Sequence, residues 1–544
     1  MDYIKEYQTG MMTGVMTGMK KFMMTCVMTS VMTGIMAGIM TCVMAGMSSC
    51  TDNFDEINTN PNATTRASAA LLATSVTGEL VKYDFWVSVA NDGMRSKIFV
   101  DTEGAQAAQY NLLGRGTFDW YIILTSAGKM AENASPEFQD AYQGLFLFAK
   151  AFRLYYCTMF MGDIPYSEAL MAESEGIIKP KYDTQKDVFR QILEDLDQAN
   201  AHFAAATAAF AGDVLFDGDP KKWQKVTNSF ALKVLITLSK RAGDTPDLNI
   251  PGRFAEVAAR PLLASNADNF QFESRNQPGM YPPYFRVSNQ SWMYLRMSNV
   301  TLDILKAHGD YRLFYYAEPS EYYQAQGIAV TDTACYPGIN PSWNNTYIER
   351  LTGERRTCRI NPRYLDEPSG GEPIVKVGYA QQEFILAEGA LRGWLPGQTA
   401  TEHYLKGIEA GLRFTADNTS DNPLFHNNRK ITDAYITQHL NKASLRLSGA
   451  PADFEDDLRK IMEQKFVASF IQYKFDPWFD NRRTGWPELP IDPETNQNEL
   501  TDRLPIRWFY PAEEASQNTE NYQEALDRQF NGVDDHNAHI WLTK

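Results

Sequence analysis

Cysteine is scarce in this chain: six occur in 544 residues, and Cys26, Cys42 and Cys50 fall within the first fifty positions. The other three, Cys157, Cys335 and Cys358, are odd in number and lack Cys-x-x-Cys spacing. That excludes both a disulfide framework and a cysteine zinc site. Histidine is nearly as rare, at seven, and none recurs at metal-ligand spacing; His536 and His539 merely stand three apart near the end. There is no Gly-x-Ser-x-Gly elbow and no phosphate-cradling glycine loop. Adjacent acids such as Asp456-Asp457 and Glu513-Glu514 point to different sides of a helix and make no acid–base pair. The reading is therefore of a protein that is not an enzyme, with a hydrolase as the remaining catalytic alternative; it calls for no cofactor, and no residue set is assigned to a metal. Positive charge is also short, with 51 Lys and Arg against 67 Asp and Glu, for a net −16. Such a polyanion is repelled by phosphate backbones, which argues against nucleic acid as a partner. After Cys50 no long apolar run occurs, so nothing beyond it spans a bilayer.

What is present begins with the opposite extreme. Lys20 and Lys21 precede a stretch, Phe22 to Ser49, without a single charge. A positive flank, an apolar core and small residues before a break read as an export signal. The stretch is long enough to span a bilayer, so a retained anchor helix competes with a cleaved signal. Gly34 and Gly38 have the spacing of close helix pairing in membranes. However, Met24, Met28, Met32, Met36, Met40 and Met44 recur every four residues, and such low complexity yields that spacing automatically. Met19-Lys20-Lys21 also makes a better beginning than Met1. Ser48-Ser49-Cys50 resembles a bacterial lipobox, with Met47 where Leu is commoner, and favours cleavage over an ordinary buried cysteine. The expectation is a lipoprotein signal at 1–49, lipidation of Cys50 and an acidic tether at 50–65 carrying Asp52, Asp55 and Glu56. One acyl chain binds a membrane marginally and several anchor stably. Residues 1–49 hold three lysines and two acids, a net +1, so the remainder carries −17 against −16 for the whole.

The rest, about 495 residues from Cys50 onwards, is too long for one simple core and calls for two or three lobes. Helices dominate it. "AYQGLFLFAKAFRLYYCTMF" places Tyr142, Leu145, Ala149, Phe152, Tyr156 and Met159 at helical spacing, with Cys157 as a small core residue. "DTQKDVFRQILEDLDQANAHF" carries a stripe of Val188, Ile192, Leu196, Ala199 and Phe203. Asp219-Pro220 is a capping acid followed by proline at the first helical position, ahead of Trp223, Val226, Phe230, Val234 and Leu238. From Tyr379 to Leu412 two amphipathic helices flank Leu395-Pro396-Gly397, the second opened by Thr399 and Glu402 as a capping box. Gly389, Ala390, Ala410 and Gly411 are expected to let these two helices approach closely. The unit has about the length of one tetratricopeptide repeat, though the consensus letters match poorly. Phe454, Leu458, Ile461 and Phe470 mark a further helix. Residues 262–300 and 316–376 are rich in Asn, Pro, Gly, Tyr and Trp without sustained periodicity, which reads as long ordered loops of functional type.

Taken together, "CTDNFDEINTNPNA", "GDIPYSEAL" with "PKYDTQKDVFRQILEDLDQA", "GDPKKWQKVTNSFALKVLITLSKR", "MSNVTLDILKAHGDYRLFYYAEP", "GYAQQEFILAEGALRGW", "WFDNRRTGWPELP" and the ending "NAHIWLTK" resemble, in order, the SusD/RagB nutrient-binding outer-membrane lipoproteins of Bacteroidota. The resemblance covers nearly the whole chain after Cys50. It implies an all-α fold at 66–544: a scaffold of tetratricopeptide-like hairpins at about 66–260 and 377–475, a loop-rich ligand-binding region at about 261–376, and a C-terminal segment at 476–544. It implies a cell-surface, lipid-anchored place at the outer membrane and a SusC-type TonB-dependent transporter as partner. The ligand it implies is an oligosaccharide or another nutrient. A repeat-type scaffold binding peptide or protein partners is the alternative; it leaves the aromatic loops unexplained.

Sugar sites need flat apolar faces and a few fixed polar groups. The richest local supply is "NQPGMYPPYFRVSNQSWMYLRM", with Tyr281, Tyr284, Phe285 and Trp292 interleaved with Asn276, Gln277, Arg286, Asn289 and Gln290. Trp343, Asn344, Asn345 and Tyr347 form a second supply, and Asn91, Asp92 and Arg95 a third, polar one. The candidate ligand set is therefore Trp292, Tyr284, Trp343, Tyr281, Tyr347, Asn91 and Arg95. The bland reading is that these rings only pack loops onto the scaffold. "WFDNRRTGWPELP" reads as a structural knot in which Asp480 pairs with an arginine and tryptophans cover the stems, and "GDIPYSEAL" as a helix stop in which Asp163 satisfies backbone donors.

Overall fold

Helix boundaries in the first lobe follow from side-chain chemistry. Ser68 caps helix α1 (Ala69–Val81) by accepting the Leu71 N–H at 3.2 Å. Helix α2 (Ile122–Glu132) leads into α3 (Gln139–Met161), which stops at Gly162, whose φ of 99° a side chain would resist. Thr184 caps α4 (Gln185–Ala205), and Asp219 caps α5 (Pro220–Thr237) by accepting the Lys221 N–H at 2.8 Å. A short helix, α6 (Ile250–Ala258), closes the series. Each of α2 to α6 packs on the next in sequence, the arrangement of stacked helical hairpins.

This is a computed structural model, and it describes residues 67–82, 89–275, 277, 281, 282, 284, 291–366, 371–473 and 475–544. Cys50, the apolar run before it and the acidic tether lie outside the described residues, as do Asn276, Phe285, Arg286, Asn289 and Gln290. Ser68 to Lys544 form one compact unit. Among the described residues no helix is long and apolar enough to cross a membrane.

The first core is built on rings. Phe148 stands edge-on to Trp223 at 5.5 Å and to Phe270 at 5.8 Å, and Phe152 lies 5.0 Å from Phe230. Such edge-on aromatic pairs add stabilisation beyond the area they bury. Cys157 is fully buried there; Cys335 and Cys358 are buried in the loop-rich region, and all three are free thiols. Asp163, after α3, accepts the Gln185 N–H at 2.7 Å as a helix stop should, and also takes the Arg528 guanidinium at 2.7 and 2.9 Å.

The loop-rich region carries two short antiparallel ladders. Strand β1 (Phe99–Asp101) pairs with β3 (Leu295–Met297), Val100 opposite Arg296; β2 (Phe270–Phe272) pairs with β4 (Ile374–Val377). Single bridges lay Ile339 beside Ser298 and Arg359 beside Arg296, so β3 has further chain along it. Helix α7 (Asn345–Gly353) lies between those two bridging segments. The second lobe follows with α8 (Tyr379–Leu391), α9 (Ala400–Asp417), α10 (Phe454–Ala468) and α11 (Asp476–Thr484). α8 and α9 form the expected hairpin, Thr399 Oγ1 accepting the Glu402 N–H at 3.3 Å, and α8 also packs on α5.

The small residues act differently from the sequence expectation. The seam of the hairpin is at Gly407, where an added Cβ would come within 2.8 Å of the Phe384 ring. Gly389 instead receives the Phe254 ring of α6, and Gly411 faces the Arg312 guanidinium. These two glycines admit neighbours outside the hairpin, which the periodicity of the hairpin alone does not reveal.

The "WFDNRR" block forms a packed knot. Arg483 reaches Glu388 on α8 at 2.7 Å and Asp480 at 3.1 Å, while Lys465 pairs with Asp480 at 2.7 Å. Arg482 lies 4.9 Å from the ring centres of both Trp478 and Phe479, and donates to the backbone oxygens of Met159 and Ile506. Burial would raise the Glu388 carboxyl, but the Arg483 and Arg392 charges outweigh it and hold it down at about 2. A carboxylate held below its unfolded value adds stability above about pH 4.5, and this is lost as pH falls towards 2. Wild-type melting temperature is thus expected to fall more steeply across that window than the melting temperature of Glu388→Gln. Parallel curves from calorimetry would refute the assignment.

Candidate functional site

The sequence candidates separate into buried and exposed sets. Trp292 is 1% exposed and Tyr284 0%. Trp292 stands edge-on to Phe99 at 5.8 Å and 5.6 Å from Tyr284, which meets Tyr364 at 5.9 Å. The Tyr284 hydroxyl donates to the backbone oxygen of Glu372 at 2.5 Å. Neither ring offers a face to solvent in this structure, because both fill the space between the loop-rich region and the second helical lobe. Arg95 is likewise spoken for: it donates to Asp92 at 2.8 Å and lies over Trp508 at 5.0 Å, with its side chain 12% exposed. Burial lowers its guanidinium pKa against the opposing pull of Asp92. Asn91 opens the short helix Asn91–Arg95 and is half-buried, as is Tyr281.

Trp343 and Tyr347 are different. Trp343 is half-buried and Tyr347 is 36% exposed, and the two rings meet edge to face at 4.9 Å. The Trp343 ring rests on Val100, Ile339 and Ile348, all fully buried. Its backbone oxygen accepts the Tyr110 hydroxyl at 2.8 Å, and that of Ser342 accepts the Thr495 hydroxyl at 2.7 Å. Asn344 caps α7, taking the Tyr347 N–H at 2.9 Å. The platform is thus fixed from below by packing and at its start by a cap, which preorganises the faces it presents.

From this platform a line of contacts runs along α7. Arg350 lies over Tyr347 at 4.9 Å and pairs with Glu354 at 3.0 Å; Glu354 pairs with Arg356 at 3.3 Å; Arg356 lies over Tyr322 at 4.8 Å. Tyr322, also 36% exposed, stands edge-on to Tyr323 at 5.2 Å. Two aromatic patches are therefore joined by a charged ridge. At about 1.5 Å per residue, α7 separates Tyr347 from Thr352 on the wall of the neighbouring cleft by roughly 8 Å.

Beside the ridge, Arg296, Pro319, Glu321, Thr352, Arg355, Thr357 and Arg359 line an open cleft of about 290 Å³. Arg355 pairs with Glu321 at 2.8 Å, and Arg359 with Glu318 at 2.7 Å and Glu321 at 3.3 Å. Arg296 donates to the backbone oxygens of Met293 and Leu295 at 2.5 and 3.1 Å. Its burial, and then the Arg359 charge beside it, lower its pKa to about 10. Among the described residues no cluster of three His, Cys, Asp or Glu side chains is placed to hold a metal ion. Flat rings and forked donors suit stacking and hydrogen bonding.

Of the sequence candidates, the structure joins Trp343 and Tyr347 at this exposed site and leaves Trp292 and Tyr284 in the core. Tyr322, Tyr323 and the arginines were missed. Their signal was available: Arg350, Arg355, Arg356 and Arg359 place four guanidinia in ten residues of an acidic chain.

A family model described as starch-binding, associating with the outer membrane (SusD-like), matches residues 61–511. A solved SusD homologue from Bacteroides fragilis is 40% identical, with a TM-score of 0.83, over 88% of this chain and 100% of that one. A second from the same species is 29% identical, with a TM-score of 0.75 and the same coverage. A chitin-binding protein at 22% identity and a TM-score of 0.67, covering 88% of this chain and 100% of its own, shares the fold and carries no more than that. No curated protein sequence matches the chain.

Proposed function

Since the chain belongs to the SusD-like family, we propose that it binds an oligosaccharide at the outer membrane through the Trp343–Tyr347 platform and the ridge that follows it. The observation that carries this reading is the pair of solvent-facing aromatic patches, Trp343 with Tyr347 and Tyr322 with Tyr323, set along one short helix and its flank. Sugar rings present apolar C–H faces that stack on such surfaces, and Arg350, Glu354 and Arg356 supply hydroxyl partners between them. Tyrosine and tryptophan give contact area at small cost in side-chain entropy. A short oligosaccharide laid along α7 would touch both patches. We further propose anchoring through lipid on Cys50, residues 1–49 being removed, and delivery of ligand to a SusC-type TonB-dependent transporter.

Isothermal titration of the full-length, detergent-extracted protein against neutral and acidic oligosaccharides tests the platform. Trp343→Ala and Tyr347→Ala are each expected to weaken binding about tenfold or more, the size of an interface anchor, Tyr347→Ala melting as the parent does and Trp343→Ala, whose ring covers Val100, Ile339 and Ile348, somewhat below it. Unchanged affinity in both would remove the site from this ridge, and binding of peptides alone would favour the scaffold reading. Gentle capture from membranes is expected to bring down a large β-barrel protein.

A further inference from the structure

The cleft at the end of α7 adds a chemical class to the ligand, an inference that rests on the binding reading above. The chain as a whole carries −16, yet this cleft gathers Arg296, Arg355 and Arg359 against Glu318 and Glu321, three guanidinia against two carboxylates. Arg355 and Arg359 are answered by those glutamates. Arg296 has no carboxylate at hydrogen-bond distance among the described residues: its hydrogen bonds go to backbone oxygens, Glu318 and Asp101 act on its charge only through space, and Arg359 stands beside it across the bridge from β3. Thr352, on the cleft wall, has a hydroxyl oxygen that is buried with no hydrogen-bond partner among the described residues. A guanidinium bonded only to backbone oxygens and an unpartnered hydroxyl thus share one cleft wall in an acidic protein.

A surface net of salt bridges needs neither feature, since exposed pairs form with charges matched and hydroxyls wetted. An anion answers both. Guanidinium forks match planar carboxylates and tetrahedral sulfate oxygens, and a free hydroxyl can donate to either. A volume of about 290 Å³ sits at the small end of ligand sites, enough for one substituted sugar ring rather than a chain. Tyr347 of the aromatic platform lies roughly 8 Å from Thr352 along the same helix.

We propose that the bound saccharide is anionic, and that its carboxylate or sulfate ester seats against Arg296 and Arg359 with Thr352 while neighbouring rings stack on Tyr347 and Trp343. Carboxylate and sulfate are the two sources of one chemistry, and the probes separate them. The full-length protein is titrated with oligogalacturonate and with its methyl ester, then with a chondroitin sulfate oligosaccharide and its desulfated form. The expected result is binding of one acidic member, weakened at least tenfold by esterification or desulfation, by raising salt from roughly 0.05 to 0.5 M, and by Arg296→Gln. Arg359→Gln, at an exposed position, gives the same direction if Arg296→Gln folds poorly, and melting curves accompany each variant. Equal affinity for the neutral member, indifference to both arginine variants, or no binding of any acidic probe overturns the proposal. Neutral glycans that bind and depend on Trp343 would leave the platform reading standing without it. Conversely, acidic sugars whose binding ignores Trp343→Ala and Tyr347→Ala would keep the anion cleft and remove the platform.

Discussion

Asp213→Ala is expected to lower the stability of the first lobe by about 3 kcal/mol, with a marked drop in its urea midpoint. The Asp213 carboxylate gathers four donors: the N–H groups of Leu215, Phe216 and Gly218 at 3.0, 3.2 and 3.0 Å, and the Trp223 indole N–H at 2.8 Å. Trp223 is fully buried against Phe148, Phe216 and Phe270, so its indole has no water to turn to. Stranding a buried donor costs about 1–3 kcal/mol, and bonds to a charged acceptor are the stronger kind. The turn is also sterically committed: Gly218 has φ +77°, and a Cβ there would collide with the Phe210 backbone oxygen. Asp213→Asn keeps one acceptor oxygen but turns an amide NH₂ towards donors, so it is expected to lose part of this stability. Urea unfolding followed by tryptophan emission measures both; a loss below about 0.5 kcal/mol for Asp213→Ala would show that water replaces the carboxylate.

The contrast with what sequence reading could see is physical. Helices α3, α4 and α5 were legible because their apolar stripes repeat at 3.6 residues, and the caps of α4 and α5 are local: Thr184, and Asp219 with Pro220, satisfy donors two or three residues away. Asp213 was not legible, because its principal partner lies ten residues on and the stretch around it looks like a plain alanine-rich loop. Gly389 was misassigned for the same reason, its neighbour Phe254 being distant in sequence. At the candidate site, aromatic composition singled out Trp292 and Tyr284 alongside Trp343 and Tyr347, since a ring that packs loops and a ring that faces ligand look identical in a sequence. Only burial separates them: β3 turns the Trp292 neighbourhood inward onto Phe99, whereas the cap at Asn344 starts a helix that leaves Tyr347 outside. The arginines of 350–359 gave a charge signal, but one that reads equally as a solvated helix face until the chain lays Arg359 beside Arg296.

The second large effect joins scaffold to site. Arg363→Ala is expected to cost about 3–5 kcal/mol and to weaken ligand binding, although Arg363 lies in the core and away from the exposed ridge. Its side chain, 1% exposed, donates to the Tyr315 backbone oxygen at 3.0 Å, to the Thr419 hydroxyl at 2.7 Å and to the Tyr364 hydroxyl at 2.5 Å, and it pairs with Glu372. Glu372 in turn accepts from Gln472 at 2.8 Å, and Gln472 takes the Val375 N–H at 2.6 Å at the start of β4. One guanidinium therefore ties the loop-rich region to the end of α9 and to the segment after α10. Removing it leaves the Glu372 carboxylate buried with, among the described residues, the Gln472 amide as its remaining side-chain partner, the costly half of a broken ion pair. The chain that carries Arg355 and Arg359 runs directly into Arg363 and is held on the way by the bridge between Ala317 and Ile360. Loosening that anchor is expected to raise hydrogen exchange across 295–362 and to lower affinity for whichever saccharide the parent binds, through lost preorganisation rather than lost contact. Replacing both partners, Arg363→Met with Glu372→Leu, should recover much of the stability because neither charge is then stranded. If Arg363→Ala melts with the parent, or if exchange rises while affinity holds, the coupling between this core pair and the ridge is absent.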